Sequence, residues 1–184
     1  MADYVLDACC LLNLCAAGAG ELSPVLSRLG LVAAIPEIVL TESRVLWKIV
    51  DDERIDLHIN LQPALDAGQL RPCRIETNAE LETFVQFAVR LSDADATCLT
   101  LARSRDWTLA TDDRLMLRIA REQDIETITT PALMKRWADV SPRERREAAQ
   151  ALVHIEELAN YRPKAGTAWS EWWESCLATL DDSA

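Results

Sequence analysis

Acidic side chains at four separated places are the residues of this chain whose types and spacing could do chemistry: Asp7, Glu42, Asp95 preceded by Asp93, and Asp113 preceded by Thr111-Asp112. Asp7, Asp95 and the Asp112/Asp113 pair fall where a strand hands over to a helix or in a first helical turn, and Glu42 stands nearby after a second strand. In an open parallel sheet flanked by helices, that handover is the carboxyl edge, where ligands bind. Carboxylates concentrated on one edge repel one another unless a cation neutralises them. All-oxygen donors suit a hard ion, Mg²⁺ or Mn²⁺, with ligand distances of about 2.0–2.1 Å for Mg²⁺. No His, Cys or Ser is paired in sequence as nucleophile and base, so metal-assisted hydrolysis of a phosphodiester is the reaction class that fits. Each acid taken singly also has a structural role open to it. Asp7 is a favoured N-cap residue, Ser92 with Asp95 resembles a capping box, Thr111 can cap a helix whose dipole favours Asp112 and Asp113, and a helical Glu42 is commonplace.

The elements that must position these acids follow from the apolar pattern. Tyr4 to Leu6 reads as a strand, and Leu11, Leu12, Leu14 and Cys15 give the next segment a helical period. Glu21 to Leu29 reads as a short helix stopped by Gly30, and Leu31 to Ile35 as a buried second strand. Pro36 then opens a helix expected to run through Val39, Val45, Leu46 and Ile49, with Glu42 about a turn inside it and Asp51 to Asp56 as an acidic loop. Ile59 to Ala67 suits a short helix, Leu70 to Ile75 a third strand, and Glu80 to Leu91 an amphipathic helix. The helix from Ser92 is small and apolar on both faces, hence buried. Trp107 to Ala110 and Ile125 to Ile128 supply strands four and five, followed by helices from Leu115 and Thr130. Strands alternating with helices predict a three-layer α/β/α fold with a five-stranded, mostly parallel sheet.

Ser141-Pro142 marks a break, so residues 1–140 form the expected main domain and 141–184 a helical C-terminal extension. Within it, Arg143 to Asn160 reads as one long helix, and Trp169, Trp172 and Trp173 share a face of the last one, packed on the domain or on a partner. The six cysteines show no C-x-x-C pair, which excludes a sequence-evident zinc site or disulfide framework and leaves buried thiols. His58 and His154 have polar or amphipathic helical surroundings and read as structural or solvated. The longest uncharged apolar stretch, Ala8 to Gly20, is too short to span a bilayer and the opening residues lack a basic leader, so a cytoplasmic, membrane-free protein is expected. A net charge of −11 opposes nucleic-acid binding, yet residues 103–146 hold ten basic against eight acidic side chains. Arg114 and Arg118, beside the last acids, are therefore candidates to touch an RNA backbone or to pair with acids.

The stretches Val5-Leu6-Asp7, Ile35 to Glu42, Leu91 to Ala96 and Leu109 to Arg114 together resemble the four acidic motifs of the PIN domain, the nuclease fold of VapC-type toxins and several RNA-processing enzymes. Order, spacing and apolar frames agree over roughly residues 3 to 137. The resemblance implies a sheet in 3-2-1-4-5 order and a metal site of Asp7, Glu42, Asp95 and Asp113, with Asp113 on the family's Thr-x-Asp pattern. Asp112, Asp93 and Thr111 are then accessory. It also implies Mg²⁺- or Mn²⁺-dependent cleavage of RNA, frequent homodimers and, in toxin members, an antitoxin over the site. Two features depart from it. Cys9 stands where many members have Ser, Thr or Asn, which would weaken a hydrogen bond behind the metal site, and residues 141–184 exceed a compact toxin domain.

The alternative is a catalytically silent PIN-like module binding RNA or protein through the Trp169/Trp172/Trp173 face. A third reading, a receiver- or hydrolase-like domain with Asp7 as phospho-acceptor, lacks the lysine it needs, since Lys48, Lys135 and Lys164 do not fall at a strand end.

Overall fold

The computed structural model describes residues 4–42, 45–50 and 53–183. The chain runs β1 (Tyr4–Leu6), α1 (Ala8–Ala17), α2 (Val25–Arg28), β2 (Ala33–Pro36), α3 (Glu37–Glu42), β3 (Val45–Val50), β4 (Glu53–His58), α4 (Gln62–Asp66) and β5 (Leu70–Cys73). It continues with α5 (Asn78–Ala88), α6 (Asp93–Arg105), β6 (Thr108–Ala110), α7 (Arg114–Glu122), β7 (Thr127–Ile128), α8 (Thr130–Ala138), α9 (Pro142–Ala159) and α10 (Ala168–Leu177). Five strands form one all-parallel sheet in the order β5-β2-β1-β6-β7, which is the expected 3-2-1-4-5 once the β3–β4 pair is set aside. Helices flank it in the three-layer PIN-like arrangement.

The central strand carries no polar residue inward: Val5 and Leu6 are fully buried, as are Ala33, Ile35, Leu109 and Ala110 on its neighbours. Parallel strands covered on both faces read as continuous apolar runs for this reason. Register fixes the site, because Leu6 lies opposite Ala110 in adjacent parallel strands and the next residues, Asp7 and Thr111, leave the sheet together. β1 is the point where the strand order reverses, with β2 and β5 on one side and β6 and β7 on the other, the position beside which ligands bind in open parallel sheets.

The region after α3 departs from the expected long helix. α3 ends at Glu42, and Val45 to Val50 pairs antiparallel with Glu53 to His58, Val45 opposite His58 and Val50 opposite Glu53. The expected acidic loop is therefore strand from Glu53 onward, with Asp51 and Asp52 outside the described residues. The physical reason is visible in Val45, Trp47, Ile49 and Val50: β-branched and aromatic side chains favour an extended pleat over a helix. The helix expected over Glu21 to Leu29 is shortened to Val25–Arg28, since Pro24 can only begin it. After α1 the chain turns sharply at Gly18, where an added Cβ would stand 2.2 Å from the Glu21 carbonyl oxygen.

The helices after Ser141 share the hydrophobic core. Along α9, Ala148, Leu152 and Ile155 are fully buried, and α9 packs along α1, α8 and β3. Of the tryptophan stripe, Trp173 is buried with Nε1 donating to Glu156 Oε1 at 2.8 Å, Trp172 is half-buried and Trp169 is exposed. Trp173 meets Trp172 and Tyr161 edge-on. No helix among the described residues is long and apolar enough to cross a membrane, and all six thiols are free.

Candidate active site

Asp7 is the N-cap of α1: Oδ1 accepts from the Cys10 amide at 2.7 Å. Its second oxygen is held from the side by two neutral donors, the Cys9 thiol at 3.0 Å and the Thr111 hydroxyl in a very short bond. Only 2 % of Asp7 is exposed. Burial raises its carboxyl to about 6 against the pull of those three donors, and the nearby Asp112 charge adds to the rise. A carboxylate taken out of water strongly disfavours its charged form unless a cation compensates.

Thr111 links this group to the next strand end. Its Oγ1 accepts from the Asp113 amide at 3.1 Å, and Asp113 itself caps α7 through Oδ1 and the Met116 amide at 2.8 Å. The cap of α7 is thus Asp113 and not the expected Thr111, whose hydroxyl is turned inward to Asp7. Asp113 is exposed, as are Arg114 and Arg118 on the first turns of α7. Arg118 reaches Glu122 on its own helix at 3.9 Å, and no hydrogen bond or ion pair among the described residues engages Arg114.

Asp95 stands at the third position of α6. The Ser92 hydroxyl accepts from its amide at 3.2 Å, so the expected capping box is only half made, and no described side chain engages the Asp95 carboxylate. One turn further, Cys98 is fully buried with Sγ 3.6 Å from the Leu6 carbonyl oxygen. Burial pushes the Cys98 thiol upward, and the charges of Asp7 and Asp95 both push it further. Asp93 is exposed at the first position of the same helix. Glu42 is the last residue of α3, a helix that packs against α6, and its side chain lies outside the described residues.

Asp112 has a different surrounding. Its Oδ1 accepts from the Thr130 amide and the Tyr161 hydroxyl, both at 3.0 Å, and its Oδ2 from Asn13 Nδ2 at 3.0 Å and from the Thr130 hydroxyl. Four donors from α1, α8 and the segment after α9 leave it as a clamp that fixes the loop carrying Thr111 and Asp113. Its own amide donates to Cys9 Sγ at 3.4 Å. Cys9 therefore does make the hydrogen bond for which Ser, Thr or Asn was expected, and it ties Asp7 to the same loop. Burial, with the Asp7 charge beside it, holds that thiol protonated.

Asn13, Thr130 and Tyr161 were not among the expected site residues. Asn13 had a signal, a lone amide inside the apolar run from Ala8 to Ala17. Tyr161 had none, because it comes from 49 residues beyond its partner.

The comparisons with known proteins add one finding. A family model described as PIN domain, DUF3368, matches residues 3–153. The chain belongs to the PIN domain family. No curated protein and no solved structure matches it. PIN domains are generally nucleases and generally use divalent metals, so the fold is nuclease-like. The donor chemistry here, carboxylates with no nitrogen or thiolate ligand, fits such an ion, and among the described residues no cationic side chain hydrogen-bonds or ion-pairs with Asp7. Spacing is less complete: among the described residues no three His, Cys, Asp or Glu side chains stand close enough together to hold one ion.

Proposed function

We propose that this PIN domain is a Mg²⁺- or Mn²⁺-dependent endoribonuclease. The observation that carries the reading is Asp7, a carboxylate nearly sealed from water at the carboxyl edge of the central strand and held only by neutral donors. Asp7, Asp95, Asp113 and Glu42 would hold the ion. When bound, such an ion activates a water for in-line attack on phosphorus and stabilises the leaving 3′ oxygen, giving 5′-phosphate and 3′-hydroxyl ends.

The protein's own part is orientation. Thr111 and Cys9 fix the direction of the Asp7 Oδ2 lone pairs, and partners of this kind typically matter by about 10–100-fold in metal affinity or activity. The Asp112 clamp holds the β6–α7 loop so that Asp113 stays level with Asp7. Arg114, free of described partners, and Arg118, whose contact with Glu122 is long and exposed, stand beside the edge where the RNA backbone would lie. A VapC-like toxin role, with an antitoxin over the site and a homodimeric assembly, rests on the resemblance of the four acidic motifs.

The test is cleavage of single-stranded RNA by the full chain with Mn²⁺. Asp7→Asn and Asp95→Asn should each slow cleavage by about a hundredfold or more, beyond what a merely orienting partner is worth. The silent-module reading is favoured by the caps that Asp7 and Asp113 supply to α1 and α7. It requires that wild type and both variants be equally inactive and that calorimetry show Mn²⁺ affinity unchanged by Asp95→Asn.

A further inference from the structure

Beside the carboxylates, α1, β3 and the segment after α9 enclose a cavity of about 250 Å³ lined by Cys9, Leu12, Asn13, Val45, Leu158 and Tyr161 among others. We propose that it seats one unstacked nucleobase of the RNA, the one adjoining the scissile phosphate. The proposal rests on the nuclease reading for the identity of the polymer and on the cavity itself for the base.

Position comes first. Cys9 forms one wall, and its thiol is 3.0 Å from Asp7 Oδ2, so an occupant of the cavity is the immediate neighbour of whatever Asp7 acts on. The volume equals about eight waters at roughly 30 Å³ each. That is room for a single planar heterocycle. The walls suit one: Leu12, Val45 and Leu158 are aliphatic, and Tyr161 contributes an aromatic ring, the side-chain type against which unstacked RNA bases pack.

The polar floor then selects an edge. Asn13 is 4 % exposed, and its Nδ2 donates to Asp112 Oδ2 at 3.0 Å and to Thr130 Oγ1 at 3.3 Å. Asp112 already takes the Thr130 and Tyr161 donors, and an ionised carboxylate can only accept, so the amide cannot be turned round. Oδ1 is left over, and no donor among the described residues reaches it. An acceptor that no described donor engages, on a side chain that lines the cavity, suits a ligand that brings an N–H. The exocyclic amine of cytosine or adenine does so.

The cavity is framed by elements outside the five-stranded sheet. Asn160 ends α9 in the left-handed conformation, φ 49°, which turns the backbone so that the next residue, Tyr161, points back over α1 to Asp112. Asn adopts that conformation more readily than other residues with a side chain. Val45 and Leu46 arrive from the β3–β4 hairpin.

The experiment uses labelled RNA trinucleotides and the full chain in EDTA, so that no divalent ion supports cleavage, read by fluorescence anisotropy, with A, C, G, U or an abasic sugar in the central place. Oligomers centred on A or C should bind about tenfold tighter than the abasic one. Val45→Trp, which fills the cavity from the hairpin, should erase that difference, and Leu12→Phe, which fills it from α1, should do the same if the hairpin variant fails to fold. Equal binding of the base-containing and abasic oligomers by wild type overturns the proposal, as does a difference that survives in both folded variants. If the base preference holds but RNA is not cut with Mn²⁺, the nuclease reading falls and the cavity stands. If RNA is cut with no base preference, the cavity proposal falls alone.

Discussion

Two buried carboxylates in this molecule have opposite electrostatic fates. Glu80, in the first turn of α5, is 5 % exposed, and Asp7, at the head of α1, is 2 % exposed. Glu80 is held down to about 2, first by Arg105, whose Nε lies 2.7 Å from Oε1, and then by the Glu76 and Thr77 amides at 2.8 and 3.1 Å. Asp7 is driven up to about 6 because its donors are a thiol, a hydroxyl and one amide, with no cation among them. Both side chains are little exposed, but Asp7 lies much deeper than Glu80, so depth of burial and the presence of a counter-charge separate the two together. Where the sequence supplies its own cation, the acid is a structural staple; where it does not, the charged form is left uncompensated, which is what the proposed metal site would correct.

The comparison can be broken at either end. In the metal-free protein the largest stability effect should come from Asp7 through pH. Its folded pKa lies above its unfolded value near 3.8, so the unfolded chain loses the proton first as pH rises. Between about pH 4 and 6 the folded state binds more protons, and stability falls by about 3 kcal/mol before levelling off above 6. Urea unfolding of wild type and Asp7→Asn across this window should show the slope in the first and not the second. Saturating Mn²⁺ should flatten it as well.

Glu80→Gln should cost about 2 kcal/mol at pH 7, the range for hydrogen bonds to charged groups. Glu80 has the opposite sign: its contribution is present above its usual 4.5 and is lost as pH falls towards 2. A urea series from pH 5 to 2.5 should therefore destabilise wild type relative to Glu80→Gln. Equal loss in both would show that Arg105 is not its counter-charge.

The smallest effect sharpens the contrast. Tyr161→Phe removes one of four donors to Asp112 and leaves the ring in place, so it should cost only about 1 kcal/mol of stability. Thermal unfolding followed by circular dichroism would register it. A loss of several kcal/mol would mean that the segment after α9 does more than lend a hydroxyl.

Much of this could be read in advance where a short-range cause exists. The strand-to-helix handovers at Asp7 and Asp113 are local, set by a few apolar residues ending in a cap, and both lie where the pattern put them. The β3–β4 hairpin was not legible, because helical and extended periods are both compatible with Val39, Val45, Leu46 and Ile49 until the partner strand is known. The capping assignment at Thr111 failed for a similar reason. Its hydroxyl is drawn off by Asp7, a residue 104 positions earlier.

What the sequence determined by itself is the list of acids, their order and the parallel α/β framework, since these depend on side-chain chemistry and on periodicities of a few residues. What tertiary structure alone decided is the state of each acid: Asp7 sealed, Asp112 clamped, Asp113 exposed, and the Asp95 carboxylate without a partner among the described residues. Desolvation and hydrogen bonding are properties of surroundings, and the surroundings of Asp7 and Asp112 are built from α1, β6, α8 and Tyr161, residues that meet only after the chain has folded.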